Sequence, residues 1–393
     1  MRNFPANIIA MMALVLSAGV LRADVRVGAE RAELYSGVLT GKRIALFSNH
    51  TGVLPDGRHT LDALLADSLD VRVLLSPEHG FRGTADAGES VAASVDPASG
   101  LPVVSLYDRR HRGALPAAAL DGIDVVVCDI QDVGLRFYTY YITMLELMRG
   151  AARAGLDFVV LDRPNPNGMY VDGPILDMKL QSGVGHLPIP VVHGMTLGEL
   201  ARMICGEGWL GDGLSLALTV VPCEGYTHAT RYALPVPPSP NLRSMQAVYL
   251  YPSVCLFEGT AMSLGRGTDR PFEMYGHPDY RGGEWEFVPR VMPGAKQPPL
   301  RDRRCRGVDL AGVPQDSIIA RGVDLSYVVD AYRNTGLPAE SFFTSFFDRL
   351  IGRDDIRGMI VSGMSADDIR ATWADDVSAF MARRAPYLLY PEQ

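Results

Sequence analysis

Five short apolar runs punctuate the first half of the chain: Arg43 to Phe47, Val71 to Leu75, Pro102 to Leu106, Asp124 to Asp129 and Phe158 to Leu161. They are continuous rather than alternating, as expected of strands buried on both faces. Between them lie helix-like patterns such as Leu61 to Leu69 and Tyr141 to Ala154, the latter succeeded by Gly155 as a C-cap. Strand–helix–strand repetition predicts an α/β fold, a doubly wound and mainly parallel sheet. A further apolar run, Ile189 to Val192, leads into His193-Gly194-Met195-Thr196, where Thr196 and Glu199 form a capping box for a helix through Ile204. At 393 residues the chain exceeds the usual ceiling for one hydrophobic core, which favours two domains.

The polar loops at the ends of these runs carry the functional information. Ser48-Asn49-His50-Thr51-Gly52 comes after the first run and Ser76-Pro77-Glu78-His79-Gly80-Phe81-Arg82-Gly83 after the second. Asp129-Ile130-Gln131-Asp132-Val133-Gly134 comes after the fourth, and Asp162-Arg163-Pro164-Asn165-Pro166 after the fifth. Turn chemistry alone explains any one of these loops, since Gly, Pro, Asn and Asp favour turns. All four, however, fall at strand carboxyl ends, where open α/β sheets bind ligands. No G-x-G-x-x-G succeeds the first strand and no G-x-x-x-x-G-K-[ST] occurs, so no nucleotide cofactor is expected despite the Rossmann-like layout. No G-x-S-x-G elbow is present either.

The beginning of the chain reads as a signal peptide. Arg2 precedes an apolar run from Ile8 to Leu21, too short for a membrane span, with Ala23 as the cleavage point. An uncleaved anchor is the competing reading. Removing residues 1–23 takes away Arg2 and Arg22 and moves the net charge from −8 to −10. The protein is therefore expected to be periplasmic or secreted, with no stable membrane insertion after cleavage. Lys42, Lys179 and Lys296 are the only lysines, and nothing resembles a basic stripe for nucleic acid. Cys128, Cys205, Cys223, Cys255 and Cys305 form no CxxC pair, which disfavours a zinc knuckle, while an oxidising compartment permits a disulfide.

The second half has a different texture. Pro235 to Pro240 and Pro298-Pro299 are stiff segments, and between them lie Phe257-Glu258-Gly259-Thr260 and Gly265-Arg266-Gly267-Thr268. Three late helices are predicted. Asp324 caps Leu325 to Asn334, an apolar face carries Phe342, Phe343, Phe346, Phe347 and Leu350, and Ser365 with Asp368 caps a last helix through Arg383.

The ordered series SNHTG, SPEHGFRG, DIQDVGLRFYTY, LDRPNP, HGMTLGELA, PPSPN, FEGT…GRGT and CRGVDL resembles the NamZ family of exo-β-N-acetylmuramidases. The resemblance runs from about residue 41 to 310, and Trp373 and Tyr387-Leu388-Leu389-Tyr390 extend it to the carboxyl end. It implies a Rossmann-like catalytic domain, placed at residues 24–230, and a smaller C-terminal α+β auxiliary domain, placed at 231–393, that contributes to the active-site cleft. It also implies release of β-1,4-linked N-acetylmuramic acid from non-reducing ends of peptidoglycan fragments, with a muropeptide or a MurNAc-GlcNAc saccharide as substrate. Three positions depart from the family pattern: Ala261 and Leu264 stand where Asn and Glu are expected, and Asn167 precedes Gly168 where an apolar residue is usual.

Glycoside hydrolysis usually needs two carboxyl groups, one of which protonates the leaving oxygen. Glu78, shielded in a strand-end loop beside His79 and Phe81, suits a general acid and matches the SPEHG motif, where the family's catalytic Glu is placed. The bland alternative is a helix cap or a partner for Arg82. The second carboxylate comes from Glu258 or Asp132, while Asp129 and Asp162 read as structural residues bonding loop amides. His79 and His193 are candidates to orient a carboxylate or bond the N-acetyl group. A site selecting muramic acid should present an Arg to its lactyl carboxylate. Arg136 is the first choice, beside Arg82, Arg163 and Arg266, each with a salt bridge as its alternative. Tyr138 and Tyr140 can stack on a sugar face. Asn49, Thr51, Asp162 and Asn165 complete the expected substrate-binding set. No metal or other cofactor is expected. A metal-dependent or ester hydrolase of the envelope and a catalytically silent muropeptide-binding protein are the competing functions.

Overall fold

The computed structural model describes residues 25–77, 80–82, 94–106 and 117–393. Glu78 and His79 lie outside the described residues. Seven strands form one sheet: β1 (Arg43–Ser48), β2 (Asp70–Ser76), β3 (Ser94–Val95), β4 (Pro102–Ser105), β5 (Val125–Asp129), β6 (Asp157–Leu161) and β7 (Leu218–Val221), in the order β3-β4-β2-β1-β5-β6-β7. Every neighbouring pair is parallel except β3–β4, a two-residue antiparallel edge. The chain moves outward from β1 to β2 and β4 on one side. It then crosses to β5, β6 and β7 on the other, which places the topological switch point between β1 and β5.

The alternation of side chains along each strand explains why the runs read as continuously apolar. Ala45, Phe47, Val126 and Cys128 face a core shared with α3 (Tyr140–Ala154) and α4 (Leu197–Gly206). Ile44, Leu46, Val125 and Val127 face the opposite core, shared with α1 (Ala32–Leu39) and α2 (Thr60–Ala66). Both faces of the sheet are thus covered, as expected of a doubly wound fold. Gly155 ends α3 in the left-handed region at φ 67°. Thr196 and Glu199 close a reciprocal capping box on α4. The run Ile189 to Val192 joins no named strand; Val192 makes only isolated bridges to Leu135 and Asp172.

The C-terminal part holds a three-stranded antiparallel sheet, β8 (Met274–His277), β9 (Trp285–Phe287) and β10 (Cys305–Asp309), in the order β8-β10-β9, together with a set of short helices. It shares the core of the parallel sheet: one buried apolar cluster runs from Phe47 and Tyr141 through Tyr251 to Phe347, Trp373 and Phe380. The expected last helix through Arg383 is interrupted. It divides into Ala366–Ala371 and Ala374–Arg384 around Trp373. The Trp373 indole N–H donates to Asp172 Oδ1 at 2.9 Å, and Asp172 Oδ2 accepts from Arg370 at 2.9 Å and from the Val323 amide at 2.9 Å. The tail then returns to the parallel sheet, where the Tyr390 hydroxyl donates to Asp162 at 2.6 Å. All five cysteines are free thiols. Among the described residues no helix is long and apolar enough to cross a membrane.

Candidate active site

The four loops at the strand carboxyl ends meet on one rim at the switch point. Asn49 is the hub of the loop after β1. Its Oδ1 accepts from the Thr51 amide at 2.9 Å and the Thr51 hydroxyl at 2.6 Å, and its Nδ2 donates to the Tyr140 hydroxyl at 2.9 Å. The Gln131 amide, after β5, donates to Thr51 Oγ1 at 3.0 Å, and the Gln131 side chain donates to the carbonyls of Asp132 and Pro164 at 2.8 Å. Pro164 belongs to the loop after β6, so one glutamine joins two loops. The loop after β2 enters through Phe81, whose ring lies 5.1 Å from that of His59. His59 accepts from the Leu61 amide at Nδ1, so Nε2 carries the proton and donates to the Asn49 carbonyl at 2.7 Å. Burial lowers the His59 pKa. His59 and Gln131 stand outside the set of site residues expected from motifs; a polar side chain inside an otherwise buried loop is the only signal either one gives.

The rim continues into the C-terminal half. Tyr138 donates to the Pro238 carbonyl at 2.8 Å, within the PPSPN motif, and Tyr140 bonds the same oxygen at 3.4 Å. Tyr251 packs edge-on against both Tyr138 and Phe272, at 6.2 and 4.8 Å. Phe272 in turn lies under the Arg266 guanidinium, 5.0 Å from its ring centre. Phe272 has φ 66°, a genuine outlier for a bulky side chain and a local strain that the surrounding packing must hold. Arg266 clasps Glu258 Oε1 through Nε at 3.1 Å and Nη2 at 2.6 Å. This pair sits on the wall of a cavity of about 540 Å³, with Phe257, Leu264, Pro298 and Phe346 among its lining.

The remaining expected residues divide by what they touch. Asp132 is buried and accepts from the Gly134 amide at 2.6 Å through Oδ1, while Oδ2 has no partner among the described residues. Desolvation pushes its pKa up to about 7. Asp162 is a staple. It accepts from Thr196 Oγ1, the Gly198 amide and Tyr390, and burial raises it to about 6 against those three bonds. That position carries no free oxygen for a sugar and corrects the expected substrate-binding role of Asp162. Asn165 is likewise occupied, donating to the Met195 carbonyl and accepting from the Asn167 amide. His193 accepts weakly from the Met195 amide at 3.3 Å, and burial lowers it to about 3, so it is neutral.

The arginines separate as clearly. Arg136 is fully buried and donates to three main-chain carbonyls: Pro174 at 2.7 Å, Ile189 at 3.0 Å and Leu350 at 2.8 Å. Burial brings it down to about 10, so it remains charged at neutral pH. It ties the two halves together and has no route to a ligand, which corrects its place as the carboxylate reader. Arg163 pairs bidentately with Asp129 at 2.5 and 3.0 Å, both side chains being buried. Arg82 pairs with Asp96 and is half exposed. Arg266 lies on the wall of the cavity of about 540 Å³. Among the described residues, no three His, Cys, Asp or Glu side chains gather as a metal-holding group.

A switch-point rim of polar loops, with a carboxylate-bearing cavity beside it, defines a Rossmann-like α/β enzyme with an auxiliary C-terminal part. Residues 44–246 match the N-terminal domain of the exo-β-N-acetylmuramidase NamZ, and residues 249–390 match its C-terminal domain. The chain belongs to this family of glycoside hydrolases. It is 36% identical over 374 residues to a peptidoglycan β-N-acetylmuramidase NamZ of Bacillus subtilis (strain 168), covering 91% of this chain and 89% of the relative. A crystal structure of a DUF1343 family protein from Bacteroides fragilis superimposes with a TM-score of 0.88 at 50% identity, covering 94% of this chain and all of that one. A second Bacteroides fragilis protein of that description superimposes with a TM-score of 0.78 at 28% identity, covering 93% of this chain and 99% of its own.

Proposed function

We propose that this protein is an exo-acting β-N-acetylmuramidase, releasing β-1,4-linked N-acetylmuramic acid from the non-reducing ends of muropeptides or MurNAc-GlcNAc saccharides. The observation that carries the reading is the cavity of about 540 Å³ bearing the Glu258–Arg266 pair, contiguous through Tyr251 and Tyr138 with the switch-point rim. Its size is that of a small-ligand site. Glu78 is assigned as general acid/base, with His79 orienting it. What supports this assignment is the sequence: Glu78 comes directly after Ser76-Pro77, where β2, the strand beside β1, ends. Glu258 is assigned as the second carboxylate and Arg266 as the reader of the lactyl group. Tyr138 and Tyr140 are buried and packed edge-on against each other, so they support the rim from beneath and do not stack on the sugar as expected. Asp132, holding its proton near neutrality, is the reserve donor. The apolar run from Ile8 to Leu21 supports export to a periplasmic or extracellular location, and mass spectrometry of the native protein should find a chain beginning near Asp24.

The assignment of Glu78 has a direct test. Glu78→Gln should lower kcat on an unactivated MurNAc-GlcNAc disaccharide by roughly 10²- to 10⁴-fold, the usual contribution of general acid catalysis. A nitrophenyl muramide needs little protonation of its leaving group and should suffer less. A folded Glu78→Gln protein with near wild-type turnover of the disaccharide would remove Glu78 from the mechanism and leave Asp132 as the donor.

A further inference from the structure

The charge of the chain reverses along the segment that walls the cavity. Between Arg281 and Arg306 stand seven cations and three acids, in a protein whose net charge is −8. The segment supplies β9, the connection after it and the first two residues of β10. Arg281, Arg290, Arg301, Arg303, Arg304 and Arg306 are all exposed. On β10, Arg306 faces outward between the buried Cys305 and Gly307. Arg304 is answered by Glu286 at 3.2 Å, and Arg290 and Arg301 share Asp302 at 3.5 and 3.6 Å. Arg281, Arg303 and Arg306 make no ion pair with the described residues, which leaves these three charges unanswered among them. Folding does not require it, because the small core here is Met274, Phe287 and Cys305. Like charges this close repel one another.

The face is continuous with the cavity. Gly294 to Pro299 line it, and the Arg290 amide donates to the Gly267 carbonyl at 2.8 Å, pinning the segment beside Arg266. Trp285, 38% exposed on β9, adds an aromatic surface, with the Arg270 guanidinium 5.1 Å from its ring centre.

We propose that this face is a track for the remainder of a peptide-free glycan strand, held through the lactyl carboxylates that recur on every second sugar. The inference rests on the muramidase reading and deepens it. An exo-acting site holds one terminal sugar and must let the strand leave past the cavity wall. Arginine forks pair with carboxylates. One exposed pair contributes little, but several on one strand act together through effective concentration. Arg306 is fixed on β10, and Arg303 and Arg304 stand directly before that strand, so part of the row is held at set spacing, which suits a carboxylate repeating along the glycan.

The test compares wild type with Arg303→Glu/Arg306→Glu, a double variant of exposed side chains whose fold is checked by its thermal melt. Three substrates are used: the MurNAc-GlcNAc disaccharide, a long peptide-free strand, and the same strand carrying stem peptides. At low salt the variant should lose about tenfold in kcat/KM on the long peptide-free strand, the low end of electrostatic steering. It should turn over the disaccharide like wild type. In 1 M salt, where screening acts within about 3 Å, the two proteins should converge. Affinity electrophoresis of each protein in a gel containing the peptide-free strand reads binding apart from turnover and should show retarded wild type and released variant. Equal binding and equal kcat/KM on the peptide-free strand would overturn the proposal, as would a loss confined to stem-bearing strands. Failure of wild type to cleave the disaccharide would instead count against the muramidase reading and leave the gel result to decide on the track.

Discussion

Replacing Arg136 by Met separates two roles that are easily confused. The side chain keeps most of its volume but loses every donor, so the carbonyls of Pro174, Ile189 and Leu350 lose their charged partner together. An acceptor left unsatisfied in a buried site costs about 1–3 kcal/mol. With some relaxation among three neighbours, the loss should be roughly 3–5 kcal/mol, the range for breaking a buried charged cluster. Little relaxation is available, because Gly352 is the point where the chain passes the guanidinium. A Cβ there would lie 2.5 Å from Arg136 Nη2, and φ is 86°. Urea denaturation monitored by tryptophan fluorescence should show the midpoint falling. The ratio of kcat/KM for a muramide over the matching glucosaminide should be unchanged in whatever fraction stays folded. An unchanged midpoint with a collapsed ratio would refute the structural role and return Arg136 to the substrate.

Asp132→Asn should change the pH dependence of stability. A carboxyl raised to about 7 in the folded state stabilises the protein fully below its unfolded value of about 4 and loses that contribution as pH rises through 7, at no more than about 1.4 kcal/mol per pH unit. Between pH 5 and pH 7 the urea midpoint should therefore fall more for wild type than for the variant, and identical slopes would contradict the burial argument. Asp172→Ala should cost about 3 kcal/mol or more, since Trp373, Arg370 and the Val323 amide all lose their acceptor. Limited proteolysis should then cut faster around residues 364–374, and unchanged protection would show that the clamp is not needed.

The parallel sheet is legible in the sequence because β1, β2, β5 and β6 are covered on both faces and so read as unbroken apolar runs. The strand-end loops are legible with them, and Asn49, Thr51 and Tyr140 do share one network. The edge strand β7 gives a weaker signal, because Leu218, Thr219 and Val220 are only partly buried. The break at Trp373 is not readable from local pattern, since a capping box at Ser365 and continuing polar–apolar spacing favour one long helix. What stops it is Asp172, some two hundred residues away. Arg136 misleads for a related reason. Its aromatic neighbours suggest a binding pocket, while its three partners are main-chain carbonyls that no side-chain motif announces. Glu258 and Arg266, eight residues apart in a glycine-bounded motif, do meet on a cavity wall.

The central claim is tested most directly by incubating the purified wild-type protein with nitrophenyl β-N-acetylmuramide and, in parallel, nitrophenyl β-N-acetylglucosaminide. The two differ only in the lactyl ether that Arg266 is assigned to read. A charged pair in a shielded pocket is worth a few kcal/mol when one partner is removed. Nitrophenol should therefore be released from the muramide at least about tenfold faster in kcat/KM. Equal release from both, or release from the glucosaminide alone, would contradict the account.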